Sequence, residues 1–190
     1  MAYFANAGGI LVEVLFGLLA GLFAIRVLLQ LARANFHNPI CQMFYRATNP
    51  VLMPLRKVLR PWRSWDIAGT LVAWLIECVK IWLLVALSGR ALGVLPTLVV
   101  GLAELISLLL MFFFVLILAR VLLSFFGQGS YHPVVPLVMQ LTEPVLRPFR
   151  RLLPQLGGFD LSPLLASVVL MLLQALVVAP LRDFGLMLAR

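Results

Sequence analysis

The stretch Thr48–Leu59 reads TNPVLMPLRKVL, and 94 residues further on Thr142–Leu153 reads TEPVLRPFRRLL. Sliding the chain against itself by that offset extends the match without a gap. Arg26-Val27-Leu28-Leu29 falls on Arg120-Val121-Leu122-Leu123, Pro39 on Pro133, Pro50 on Pro144, Pro54 on Pro148, Arg56 on Arg150 and Asp66 on Asp160. Self-similarity at a fixed long period means one structural unit made twice. The copies divide the chain at 1–94 and 95–190.

On either side of each matched stretch lie long apolar runs. A hydrocarbon layer about 30 Å thick needs roughly 20 largely apolar helical residues. Four runs meet that length: about Gly8 to Leu31, Ile67 to Leu87, Leu98 to Phe126 and Leu161 to Leu181. Each copy is therefore a spanning helix, a basic loop and a returning spanning helix. Because each copy crosses out and back, the two point the same way, as parallel repeats about an axis along the membrane normal rather than inverted ones. The expected fold class is all-α membrane: four transmembrane helices in two tandem parallel helix-loop-helix repeats, with short interfacial helices in the cytoplasmic loops.

Composition agrees and excludes other classes. Of 190 residues, 63% are hydrophobic and 12% charged, about half the charged share of an ordinary soluble domain. The net charge of +8 would suit a nucleic-acid partner, but the basic residues are concentrated in loops between the apolar runs, so none is expected. Arg33, Arg46, Arg56, Lys57, Arg60 and Arg63 fill the first loop, and Arg147, Arg150 and Arg151 the equivalent loop of the second copy. By the positive-inside rule these loops are cytoplasmic, which puts both termini on the outer side, the periplasmic one if the membrane is a bacterial inner membrane. Ala5-Asn6-Ala7 precedes the first apolar run, whereas a signal-peptide cleavage site follows one, so that run is read as a retained helix. Cys41 and Cys78 lack CxxC spacing and read as structural.

Within each loop, Asn38-Pro39 and His132-Pro133 suit the N-cap and first position of a short helix. The paired prolines that follow, Pro50 with Pro54 and Pro144 with Pro148, are expected to break that helix before a short basic amphipathic turn resumes. These prolines with Arg56, Lys57, Arg60, Arg150 and Arg151 form candidate lipid- or partner-binding loops, either anchored to anionic lipid headgroups or offered to another protein.

The repeated RVLL, the Asn/His-Pro step, the T-x-P-V-L-x-P-x-R segment and the downstream Asp resemble the YggT family of small bacterial membrane proteins. The resemblance spans almost the whole chain and is to the two-repeat form; single-repeat relatives occur in Gram-positive bacteria, cyanobacteria and plastids. It implies a bacterial inner-membrane location and a loose tie to osmotic or salt tolerance and ion uptake, to cell division, and in plastids to cytochrome assembly and nucleoid distribution. It brings no catalytic residues. The second copy departs from the first in having Glu143 opposite Asn49 and Gln155 opposite Pro61, which makes its loop less basic.

Ionisable residues inside the spans are the sharpest functional candidates, since each costs about 2.5–3.5 kcal/mol at a helix centre on insertion scales. Glu77 and Lys80 lie mid-span and share a face. Eleven Leu, Ile and Val residues of their helix contribute roughly 3–7 kcal/mol against about 5–7 for the pair, so this span needs a neighbour to insert. At 1.5 Å per residue, Lys80 stands about 21 Å above Asp66 and Glu13 about 20 Å above Arg26. A buried Glu13, Glu77, Lys80 cluster is thus expected in the first copy, where the second has Ser107, Met171 and Gln174. Glu104 should lie nearer the outer interface. Arg26 and Arg120 near the cytoplasmic boundary, with Asp66 and Asp160 opening the returning helices, are expected to bridge as Arg26–Asp66 and Arg120–Asp160 staples.

His37 falls opposite Tyr131 and His132 opposite Asn38, so the histidines are not a repeated ligand pair, and no metal or other cofactor is expected. No phosphate-binding, dinucleotide-binding or hydrolase motif is present, so the chain does not read as an enzyme. The expected function is binding, as a scaffold or assembly factor for other membrane proteins, in the osmotic or salt-stress setting the resemblance implies. The alternative is a small ion-conducting or transport-modulating protein working as a homo-oligomer.

Overall fold

The computed structural model describes residues 2–35, 37–62, 64–126, 132–152 and 160–189. Arg63, Tyr131, Leu153, Gln155 and Arg190 lie outside the described residues. Apolar runs with no internal breaker become long helices: α1 Ala2–Leu31, α3 Ile67–Leu87 and α4 Val94–Phe126. The fourth, α6, covers Ser162–Met187. Four helices are long and apolar enough to cross a membrane, the α1 span being Asn6–Leu31 and the α4 span Val94–Ser124.

The fourth span runs six residues beyond its expected end, straight past Pro180. Proline has no N–H to donate and its ring crowds the preceding turn. Here the helix widens into a π segment over Gln174–Val178 just before it, Ala179 N–H donating to the Gln174 carbonyl, and α-helix resumes over Ala179–Met187. Such a bulge accommodates the missing bond without ending the helix.

The loops hold α2, Pro39–Arg56, and α5, Val134–Leu152. Asn38 caps α2, its side chain accepting from Ile40 N–H at 2.9 Å, with Pro39 at the first position. His132 does the same two residues ahead of Val134, whose N–H donates to His132 Nδ1 at 3.4 Å. The paired prolines do not break these helices; each helix runs on through both. Pro50, Pro54, Pro144 and Pro148 are all exposed, and a spacing of four stacks each pair on one face. The absent hydrogen bonds therefore fall on the outward side. The opposite face, Cys41, Thr48 and Leu52 in α2 and Leu137, Leu141 and Leu146 in α5, is buried and holds the helix in place.

In the bundle, α3 packs on α1 and α4, and α6 packs on α4. Helix backbones approach closely where one side is glycine: a Cβ on Gly101 would collide with the Cys78 sulfur, and one on Gly185 would lie 2.7 Å from Val100 Cγ2. The copies meet at the loop end. Gln140 Nε2 of α5 donates to the Ala32 and Arg33 carbonyls at 3.2 and 3.1 Å, and Asn38 Nδ2 donates to the Pro133 carbonyl at 2.7 Å. Leu28, Leu29 and Cys41 of the first copy share a core with Leu137 and Leu141 of the second. Both loop helices thus lie at the same end of the bundle, which makes the repeats parallel.

Candidate functional site

Two polar clusters, one per copy, join each loop helix to its spans. In the first, Arg26 leaves α1 fully buried, its guanidinium 3.2 Å from the centre of the Tyr45 ring and Nη2 donating to Asn49 Oδ1 at 3.4 Å. Arg56, at the end of α2, forms an ion pair with Asp66 and donates to Gln30 Oε1 at 2.8 Å. Asp66 is itself the N-cap of α3, accepting from Gly69 N–H at 3.2 Å.

The second cluster repeats the pairing of the loop arginine with the aspartate and changes the contacts of the span arginine. Arg120 Nη1 donates to Thr142 Oγ1 at 2.8 Å, and Nη2 pairs with Glu143, the counterpart of Asn49, at 3.0 Å. Arg150 reaches Asp160 at 2.9 Å, as Arg56 reaches Asp66, and also reaches Glu143 at 3.2 Å. Asp160 accepts from Ser162 N–H at 2.9 Å. The result is a continuous chain of two arginines and two carboxylates. In the first copy the neutral Asn49 leaves Arg26 Nε and Nη1 with no acceptor.

The expected staples are therefore corrected: Arg26 does not bridge Asp66, nor Arg120 Asp160. The loop helix lies between the two spans, so its own arginine, Arg56 or Arg150, takes the aspartate, and the span arginine is met by the middle of that helix. Arg56 is thereby turned inward to the buried Asp66, whereas Arg150 pairs with Glu143 and Asp160 at the exposed surface of its loop. Lys57, Arg60 and Arg151 remain exposed beside the equally exposed prolines.

Two loop residues of these clusters are shifted by their surroundings. Burial raises the Asp160 carboxyl, but the hydrogen bonds from Ser162 and Arg150 outweigh it and hold the group below its ordinary value. Burial pushes the Tyr45 hydroxyl up, against the pull of Arg26 and Arg56. It also pushes the Cys41 thiol up, which suits a structural thiol rather than a nucleophile.

Inside the spans, Lys80 forms an ion pair with Glu77, whose side chain is 1% exposed and whose oxygens accept no hydrogen bond. Glu13 does not join them. It lies exposed on α1 and, among the described residues, makes no ion pair or hydrogen bond. In the second copy, where no such cluster was expected, the counterparts of Glu13 and Lys80 do meet: Gln174 Nε2 donates to Ser107 Oγ at 2.6 Å. What depth cannot supply is a choice between partners, and Lys80 has Glu77 one turn away on its own helix.

Glu104 is paired with Arg182 of α6. Arg182 lies one residue beyond the expected end of the fourth span at Leu181, but the helix continues past it to Met187. An opposite charge at matching depth was the signal available. Arg33 was likewise read only as a loop cation, yet it is the single non-glycine residue with positive φ among the described residues, at 50°.

Comparison with known proteins follows the same duplication. The CCB3/YggT family model matches residues 5–87 and again 99–181, offset by the same 94 residues as the internal repeat. A Pseudomonas aeruginosa relative, uncharacterised, is 40% identical over 156 residues, covering 81% of this chain and 79% of its own. A Vibrio alginolyticus protein encoded in the proC 3′ region is 35% identical over 165 residues, 86% of this chain and 89% of the relative. Escherichia coli YggT, also uncharacterised, is 32% identical over 165 residues, 86% and 85% of the two chains. No solved structure matches. With helices, loop clusters and family domain all occurring twice at one offset, the chain is a multi-pass membrane protein of the CCB3/YggT family that carries the family's domain in two tandem copies.

Proposed function

We propose that this protein works by binding rather than catalysis, as a scaffold or assembly factor that receives other membrane proteins on the outer half of α1. The observation that carries this reading is Glu13. It is a carboxylate within a spanning helix, exposed among Ile10, Val14 and Leu18 and unpaired among the described residues. A charge so placed costs on the order of 2–3 kcal/mol in hydrocarbon, and a neighbouring helix carrying a cation or hydrogen-bond donor would remove that cost. Two other carboxylates of the spans, Glu77 and Glu104, are matched in place by Lys80 and Arg182, an arrangement that fixes helices rather than relaying ions.

The accompanying topology has the loop helices in the cytoplasm of a bacterium and both termini outside its inner membrane, in keeping with the arginine-rich loops. The osmotic or salt-stress setting belongs to the same proposal and rests on the family resemblance. A conduction reading draws on one observation, that two carboxylates, Glu13 and Glu77, stand against one Lys80 in the outer half of the first copy.

Reconstitution separates the two. Proteoliposomes should pass K⁺ no faster than protein-free vesicles, and a photocrosslinking residue at Val14 in native membranes should give a discrete adduct that Glu13→Gln removes. Cation flux abolished by Lys80→Met or Glu13→Gln would overturn the scaffold reading. Reaction of Ser64→Cys, rather than Gly89→Cys, with an impermeant maleimide from outside would reverse the orientation.

A further inference from the structure

Where the two copies meet at the loop end of the bundle there is a cleft of about 350 Å³, lined by Leu28, Leu31 and Arg33 of the first copy and Phe113, Gln140 and Arg147 among residues of the second. We propose that it binds one anionic phospholipid, the phosphate held between Arg33 and Arg147 and an acyl chain lying on Leu28, Leu31 and Phe113.

The cleft is built around Arg33. Its φ of 50° is a backbone conformation that residues bearing a side chain rarely adopt, and Gln140 from the other copy fixes the turn by donating to the Ala32 and Arg33 carbonyls. In that conformation Arg33 Nε donates to Ser64 Oγ at 3.1 Å, while no described side chain accepts from its terminal nitrogens. Arg147 is exposed on α5 and likewise makes no described ion pair or hydrogen bond. Glu143 also borders the cleft, but Arg120 and Arg150 already offset its charge, so the mouth is net cationic.

Depth selects a lipid over a soluble anion. Along α1 the lining passes from Leu28 and Leu31 inside the span to Arg33 just beyond its end, so the apolar floor and cationic rim stand in the order of a lipid's tail and headgroup. Neither arginine is duplicated: Gly127 stands 94 residues after Arg33, and Met53 stands 94 before Arg147. The site exists only where copy meets copy, and a single repeat would lack it. It depends on the transmembrane fold and not on the scaffold reading, so either can fail alone.

The test is native mass spectrometry of the full-length protein in a non-ionic detergent, titrated with phosphatidylglycerol, phosphatidylcholine of the same acyl chains, or inorganic phosphate. One phosphatidylglycerol should be retained over phosphatidylcholine. Arg147→Gln, which breaks no described contact, should weaken it about fivefold, the effect of one basic residue beside an anionic headgroup, and Arg33→Gln/Arg147→Gln should remove the preference. Arg151→Gln, outside the cleft, should leave binding unchanged. Equal retention of the two lipids, equal weakening by Arg151→Gln, or displacement of the lipid by inorganic phosphate would overturn the proposal.

Discussion

Removing Lys80 should cost this protein far more than removing both members of its ion pair. In Lys80→Met the Glu77 carboxylate, 1% exposed and accepting no hydrogen bond, loses the one cation beside it. Breaking a buried pair from one side typically costs about 3–5 kcal/mol, or about 100- to 5,000-fold in the folded-to-unfolded ratio. Glu77→Gln is gentler, about 1–2 kcal/mol, because Lys80 is seven residues from the end of α3 at Leu87, roughly 10 Å, and its long side chain can reach toward the interface. Glu77→Leu with Lys80→Met buries no charge and should return to within about 1 kcal/mol of the parent, or exceed it. The assay is reversible unfolding by dodecyl sulfate from mild micelles, read by tryptophan fluorescence, with Trp74 and Trp82 on the same helix as the pair. A double variant no more stable than Lys80→Met, or a neutral Lys80→Met, would refute the coupling.

The same unfolding assay checks three further expectations. Arg120→Met should destabilise by about 2–3 kcal/mol, since it removes charge-assisted bonds to Glu143 and Thr142, whereas Arg26→Met should cost under about 1 kcal/mol, because it also relieves two buried donors without acceptors. Equal costs would mean that the Asn49-for-Glu143 difference has no energetic weight. Asp160 is held below its ordinary value when folded, so its contribution is fully present above the unfolded value near 3.8 and is lost as pH falls through the lower folded value. Stability measured from pH 6 to pH 3 should therefore fall more steeply for the parent than for Asp160→Asn, and parallel curves would contradict this. Gly101→Ala should cost about 1–3 kcal/mol through collision with the Cys78 sulfur, and adding Cys78→Ala should recover most of it; no rescue would place the strain elsewhere.

The reading from sequence was strongest where the signal is local or periodic. Asn38, Asp66 and His132 cap helices through bonds that span two or three residues, and such chemistry is visible in the chain itself. It was weakest where two local rules competed. Pro50, Pro54, Pro144 and Pro148 read as breaks, because the propensity of proline is written in the sequence and the burial of the opposite helix face is not. The Arg–Asp staples failed for a related reason. Two residues at one depth are necessary but not sufficient for contact, and Arg56 reaches Asp66 first because α2 lies in between.

Four spans, their order and the duplication followed from the sequence alone, since hydrocarbon thickness sets helix length and a 94-residue offset repeats the loop prolines and the Arg26, Arg56 and Asp66 positions. The rotation of each helix about its axis and the seating of α2 and α5 between spans were decided only in three dimensions. Those two quantities left Glu13 without a partner among the described residues, gave Arg120 the carboxylate that Arg26 lacks, and brought Arg33 and Arg147 to one cleft. Depth is additive along a chain, whereas facing is a property of packed neighbours.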